Sequence, residues 1–130
     1  MVDDVVTEED FQKIGGRYAN AVRMKIASNT PPPNAPSTID RKGHGQTLID
    51  SGDLIMNVEF HVEYTHENIT DIYIGIFDEK IATYGYWNEM GIKRPERSFM
   101  RSTFYDKMDE VTNEFAESIS KRIEDIFMNM

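Results

Sequence analysis

The chain has no cysteine among its 130 residues, only three histidines and a single tryptophan. Without cysteine there are no disulfides, no thiolate metal sites and no cysteine nucleophiles. Basic residues are also scarce, 14 Lys and Arg against 23 Asp and Glu, for a formal net charge of -9. So acidic a chain cannot grip nucleic acid through a general phosphate-binding surface. It can serve DNA differently, since an acidic channel wall repels phosphates and lets a duplex slide past. No apolar run approaches the roughly 20 residues that cross a bilayer, so a membrane role is not expected. The first ten residues are acidic where an export leader would be basic and then apolar, which points to residence in a cytosol-like space.

What is present suffices for one folded domain, residues 1–130, with one modest core. Thr7-Glu8-Glu9-Asp10 reads as a helix start, with Thr7 as cap and acids favourably placed in the first turn. Phe11, Ile14, Tyr18, Val22 and Ile26 then recur at helical spacing to about Ser28. Gly15-Gly16 interrupts this stripe, through close packing of another segment or a kink.

Residues 29–46, with Pro31-Pro32-Pro33 and Pro36, have almost nothing to bury. An extended arm reaching a neighbour and a disordered insertion both fit such a stretch. Leu54, Met56, Val58, Phe60, Val62 and Tyr64 alternate with mostly polar residues, the pattern of a half-buried strand. Thr65 to Asn68 turns the chain, and Ile72, Ile74 and Ile76 supply the second strand of a hairpin. Ile81–Met90 fits a third strand or a short helix; Ala82, Tyr86 and Met90 share a helical face and Gly91 supplies a stop, which favours the helix. Pro95 restarts the chain into one long amphipathic helix carrying Phe104, Met108, Val111, Phe115, Ile119 and Ile123. The sum is an α+β domain: a small antiparallel sheet packed against an N-terminal helix and a long C-terminal helix, with an extended Pro-rich arm. Methionines at Met56, Met100 and Met108 fall on apolar positions and read as core fillers. Met128 and Met130, beside Phe127, read as a fraying end or as an apolar end that docks on a partner.

Chemistry is harder to find. His44, His61 and His66 lack the spacing of a metal site, and Glu59 and Glu63 flank His61 on the polar side of a strand. Lys42-Gly43-His44-Gly45-Gln46-Thr47 has the residues of a phosphate loop in the wrong order. No catalytic residue, cofactor or metal is therefore assigned. Lys93, Arg94, Arg97 and Arg101 reverse the local sign of an acidic chain beside Trp87. Arg97 and Arg101, four apart on one expected helical face, mark either a subunit interface or a solvated face balancing Glu89, Glu96 and Asp106.

Two segments carry a resemblance. Thr47-Leu48-Ile49-Asp50-Ser51-Gly52-Asp53-Leu54 resembles the "leucine, hydrophobic, Asp, Thr or Ser, Gly, any, Leu" approach to a strand in virion morphogenesis proteins of long-tailed bacteriophages. Tyr84 to Met90 with Gly91, then Arg94-Pro95 and Arg97-Ser98-Phe99-Met100, is similar to that family's "Asn or His, Glu, aromatic, Gly" segment and "Arg-Pro-Phe" helix start. Met90 replaces the usual aromatic, and Glu96-Arg97-Ser98 lengthens the second motif. The family comprises neck, head-tail joining and tail-completion proteins. The resemblance implies a structural virion subunit at the neck or tail top, made in the host cytoplasm. It would form a sixfold or twelvefold ring with copies of itself, beside neck, connector or tail-tube proteins and with DNA only as passing cargo. Gly52, Gly91 and Pro95 would be structural turns, the aromatic cluster would pack the short helix onto the sheet, and Lys93, Arg94, Arg97, Arg101 and Trp87 would face a partner. The alternatives are a small carboxylate- and histidine-dependent hydrolase or a monomeric binding module.

Overall fold

A computed structural model describes residues 6–66 and 69–129. The order is α1 (Glu8–Ala27), α2 (Pro36–Lys42), α3 (Asp53–Met56), β1 (Val58–His66), β2 (Ile69–Ile76), α4 (Glu79–Met90) and α5 (Arg101–Met128). The α+β class is as expected, with α1 and α5 packed antiparallel and the hairpin lying on α1. Among the described residues, no helix is long and apolar enough to cross a membrane.

Helix α1 starts as its sequence dictates. Thr7 accepts from the Asp10 amide while Asp10 accepts from the Thr7 amide at 2.7 Å, a reciprocal capping box. Its buried stripe of Tyr18, Ala19, Val22 and Ile26 joins Leu48, Leu54, Val58 and Phe99 in the core. Gly15 does not break the helix, which runs unbroken from Glu8 to Ala27. A Cβ there would lie 2.3 Å from the ring of Phe60, so its absence lets β1 sit close against α1, whereas at Gly16 the nearest Phe60 atom is 3.8 Å away.

In the hairpin, Val58 pairs with Ile76, Phe60 with Ile74 and Val62 with Ile72, which puts the apolar set on the α1 side. Glu59, His61 and Glu63 face outward as expected, with His61 stacked on Phe77 at 4.0 Å. The predicted turn lies partly outside the described residues, as does Met130.

Three expectations need correction. The strand does not begin at Leu54: Gly52, at φ 91°, opens the helical turn α3, held by the Asn57 side-chain amide donating to the Asp53 carbonyl at 2.7 Å. A helical turn does not alternate, so Leu54 is buried while Met56 is 78% exposed; Met108 is also exposed, leaving Met100 as the packed one of the three. Residues 29–46 are not wholly extended. Pro36, in the first turn, and Gly43, at the C-cap in a left-handed conformation, bound α2 as helix-start proline and helix-stop glycine. Finally, the long helix begins at Arg101 and not near Pro95.

Replacing Gly15 by alanine is expected to lower stability by ~1–3 kcal/mol through overpacking against Phe60. Gly16→Ala, with room for its methyl, should be neutral or raise stability by up to ~1 kcal/mol through helix propensity. Urea midpoints of the two variants check the contrast.

Candidate functional site

The segment from Tyr84 to Arg101 is a joint between α4 and α5. Asp78 caps the start of α4 by accepting from the Ile81 amide at 3.1 Å, and Gly91 ends the helix at φ 70°. Gly91 is required there for two reasons. Its backbone is left-handed, and a Cβ would lie 2.9–3.0 Å from the backbone of Glu96. Lys93 follows, also left-handed at φ 57°, so the chain reverses within a few residues.

The reversal brings the start of α5 onto the side of α4 that carries Glu89. The N-cap residue of α5, Met100, makes no side-chain cap bond, and the first turn carries no acid. Glu89 supplies both from another helix. Its Oε1 accepts from the amides of Phe99 at 3.0 Å and Met100 at 2.7 Å, and its Oε2 accepts from the Arg101 amide at 3.4 Å and Arg101 Nε at 2.9 Å. The Ser98 hydroxyl also donates to Oε2, while Ser98 Oγ accepts from the Ser102 amide at 3.1 Å. A carboxylate at a helix N-terminus satisfies orphan amides and opposes the positive end of the dipole. Burial alone would raise the Glu89 pKa; the bonds from Ser98, Arg101, Met100 and Phe99 outweigh it and hold the group below its ordinary value.

The exchange runs both ways, because the chain between Gly91 and Arg101 also satisfies the end of α4. The Ile92 amide donates to the Trp87 carbonyl at 2.9 Å, the Arg97 amide to the Asn88 carbonyl at 2.8 Å, and Arg101 Nη2 to the Glu89 carbonyl at 2.8 Å. These bonds explain the late start of α5. Residues ahead of Arg101 must deliver Arg97 to Asn88 and then Phe99 and Met100 to one carboxylate, a path that a helix starting at Pro95 would not follow.

The expected basic face is thereby dismantled. Arg97 lies before α5 and is only 6% exposed. It reaches across the chain to donate from Nε to the Pro32 carbonyl at 2.8 Å and from Nη2 to the Pro33 carbonyl at 3.3 Å. Burial lowers its pKa, yet a guanidinium remains a cation at neutral pH. Arg101 is committed to Glu89 and, at 2.7 Å, to Glu96. Arg97 is a buried fastener, whereas Arg101 remains half-exposed with its charge paired to two carboxylates.

Arg97 is one of several ties on the loop of residues 29–46. Thr47 donates from its hydroxyl to the Thr30 carbonyl at 2.6 Å and from its amide to Asn29 Oδ1 at 3.1 Å, closing the loop at its base. Asn34 Nδ2 and Lys42 Nζ both donate to the Gln46 carbonyl, at 3.2 and 3.0 Å. His44 is used locally, its Nδ1 accepting from the Gln46 amide at 3.1 Å.

The residues left facing outward are Trp87, Lys93 and Arg94, with Tyr86, Met90 and Ile92. Of the aromatic cluster only Tyr84 packs toward the core; Tyr86 is 56% exposed, so the cluster does not as a whole fasten α4 to the sheet. Arg94 lies over Trp87 at 5.2 Å and Tyr84 at 5.7 Å, which fixes a cation beside the apolar ridge. Chemically this is an exposed apolar face with cations beside it, next to the joint. Among the described residues, no group of three or more His, Asp or Glu is placed to hold a metal. Sequence reasoning missed Glu89 as the centre; the signal was a long amphipathic helix whose first turn carries Arg101 and no acid, behind an N-cap methionine. No protein-family profile, curated protein or solved structure matches the chain.

Glu89→Gln is expected to destabilise the fold by about 2–4 kcal/mol, because it removes the charge from buried charge-assisted bonds. A depressed carboxylate contributes stability above its unfolded pKa and loses it as pH falls through the folded value. Wild-type stability should therefore drop on acidification below about pH 4, more steeply than that of Glu89→Gln. Urea midpoints across pH test both statements. Arg97→Ala should leave helicity intact yet speed amide exchange around Asn34 and Gln46, read by hydrogen-exchange mass spectrometry.

Proposed function

We propose that this chain is a structural subunit of a bacteriophage neck or tail-completion assembly, joining capsid to tail around the passing DNA. The observation that carries this reading is the convergence of the resembling segments on one joint. Leu48 and Leu54 from the first segment and Phe99 from the second share the core, and the Asn88-Glu89 and Arg97-to-Arg101 portions bond to one another. The motif residues thus hold a shape instead of lining a reaction centre. Their outward neighbours, Trp87, Tyr86, Met90, Lys93 and Arg94, are suited to contact another protein, since aromatic and arginine side chains dominate such contacts.

The loop of residues 29–46 fits the same role. Tied at its base by Thr47 and Arg97, it can present α2 to a neighbour without first ordering the whole segment. The net charge of -9 suits a subunit past which DNA must slide. Sixfold or twelvefold repetition is the arrangement the resemblance implies.

Mass spectrometry of purified virions should find the chain at a fixed, low copy number, and a density map of the neck should contain its fold; virions lacking it would overturn the reading. Trp87→Ala and Arg94→Glu should leave the urea midpoint within ~1 kcal/mol of wild type while reducing the yield of tailed particles. Tail attachment unchanged by both would remove this face from the interface.

A further inference from the structure

Among the described residues, β1 pairs with β2 on one side and, in a two-stranded sheet, with no strand on the other. The direction of its free groups is set at Val58, whose carbonyl accepts from Arg23 Nη2 at 2.6 Å and so points away from β2. Outward and ladder-directed residues alternate along an antiparallel strand. Phe60 and Val62 therefore also turn their amides and carbonyls outward, until the irregularity between Tyr64 and His66 ends the alternation. Among the described residues, no hydrogen bond from outside the hairpin reaches the β1 backbone beyond Val58. Folded proteins blunt such an edge with proline, lysine or an inward-pointing charge, and residues 58–64 have none of these.

The side chains beside this edge are acidic. The two strands carry Glu59, Glu63 and Asp71 and no lysine or arginine. Glu63 stands directly opposite Asp71 in the register, a like-charge pair that is unfavourable in a sheet, and among the described residues no cation pairs with either. Glu59 has only the His61 ring, at 3.5 Å. The one cation seen at the edge, Arg23, sits at the start of the strand and is occupied by Val58.

We infer that the free edge of β1 accepts an extended segment of another protein in which lysine or arginine alternates with apolar residues. The main chain of that segment completes the bonds of Phe60 and Val62, and its two sets of side chains fall on the two sides of the sheet. Its apolar residues continue the α1 side, where Phe60 and Val62 are half-buried, and its cations lie beside the exposed Glu59 and Glu63. A cation there also relieves the opposition of Glu63 and Asp71. Main-chain bonds supply affinity, and the alternation of charge with apolar surface supplies selectivity. The contact goes beyond the neck-subunit reading and does not depend on it.

Amide exchange followed residue by residue by NMR tests the edge in the free chain, where Phe60 and Val62 should exchange at least about tenfold faster than Glu59, His61 and Glu63. A synthetic peptide of about eight residues alternating lysine with valine should then bind, read by fluorescence anisotropy, and protect Phe60 and Val62. Replacing its lysines by glutamate, or N-methylating the amides that face β1, should weaken binding by at least about fivefold. Glu63→Lys, at an exposed position, should weaken binding of the lysine peptide by the same factor without lowering the urea midpoint. Slow exchange of Phe60 and Val62 in the free monomer, no binding of the lysine peptide, or binding indifferent to N-methylation or to Glu63→Lys would each overturn the contact. Protection of the same two amides by dimerisation of the chain alone would assign the edge to a second copy and overturn the basic partner.

Discussion

One carboxylate organises this protein. Glu89, at the end of α4, accepts from the amides that open α5 and from Ser98 and Arg101. Without it, the longest helix would begin with unsatisfied donors inside the core, where Phe99 is almost fully buried. Because the cap comes from a neighbouring helix, it also fixes the angle at which the two helices meet. The orientation of Trp87 and Arg94 relative to the body of the protein is therefore set by the same bonds that start α5.

A second carboxylate does related work farther along. Asp10 closes the cap of α1 and accepts from both terminal nitrogens of Arg122, at 2.6 and 2.9 Å. Those bonds hold its pKa well below the usual carboxylate range. Between these points α5 is held by Tyr18, whose ring packs on Phe104 and whose hydroxyl donates to the Met108 carbonyl at 3.3 Å, and by the Lys25–Asp106 pair at 2.7 Å. Exposed ion pairs such as the latter contribute little on their own. The half-buried Asp10–Arg122 pair and the buried Glu89 cluster carry more of the register.

Much of the fold was legible because periodicity reports local burial. The stripes of α1 and α5, the alternation from Val58 onward and the glycine stop at Gly91 each follow from a nearby rule. What stayed hidden depends on contacts distant in sequence. Arg97 donates to carbonyls 64 and 65 positions away, and backbone carbonyls carry no residue signature, so its side chain read as a surface charge. Glu89 was one acid among many. Met56 read as core because Leu54, Met56 and Val58 alternate; the left-handed Gly52 then starts a helical turn that this pattern does not reveal. Of the proposed contact residues, Trp87 and Lys93 are exposed and Arg94 is half-buried over the Trp87 ring, while Arg97 is buried and Arg101, though exposed, is tied to Glu89 and Glu96.

The register of α5 also has a consequence in time. Ribosomes build α1, the loop and the hairpin first, at a stage when Asp10 has no Arg122, the loop has no Arg97 and Glu89 has no amides to receive. Contacts of such long sequence separation form slowly and late. The nascent chain is thus held short of this shape until α5 has emerged, and the face carrying Trp87 and Arg94 is oriented only after synthesis of the segment that positions it.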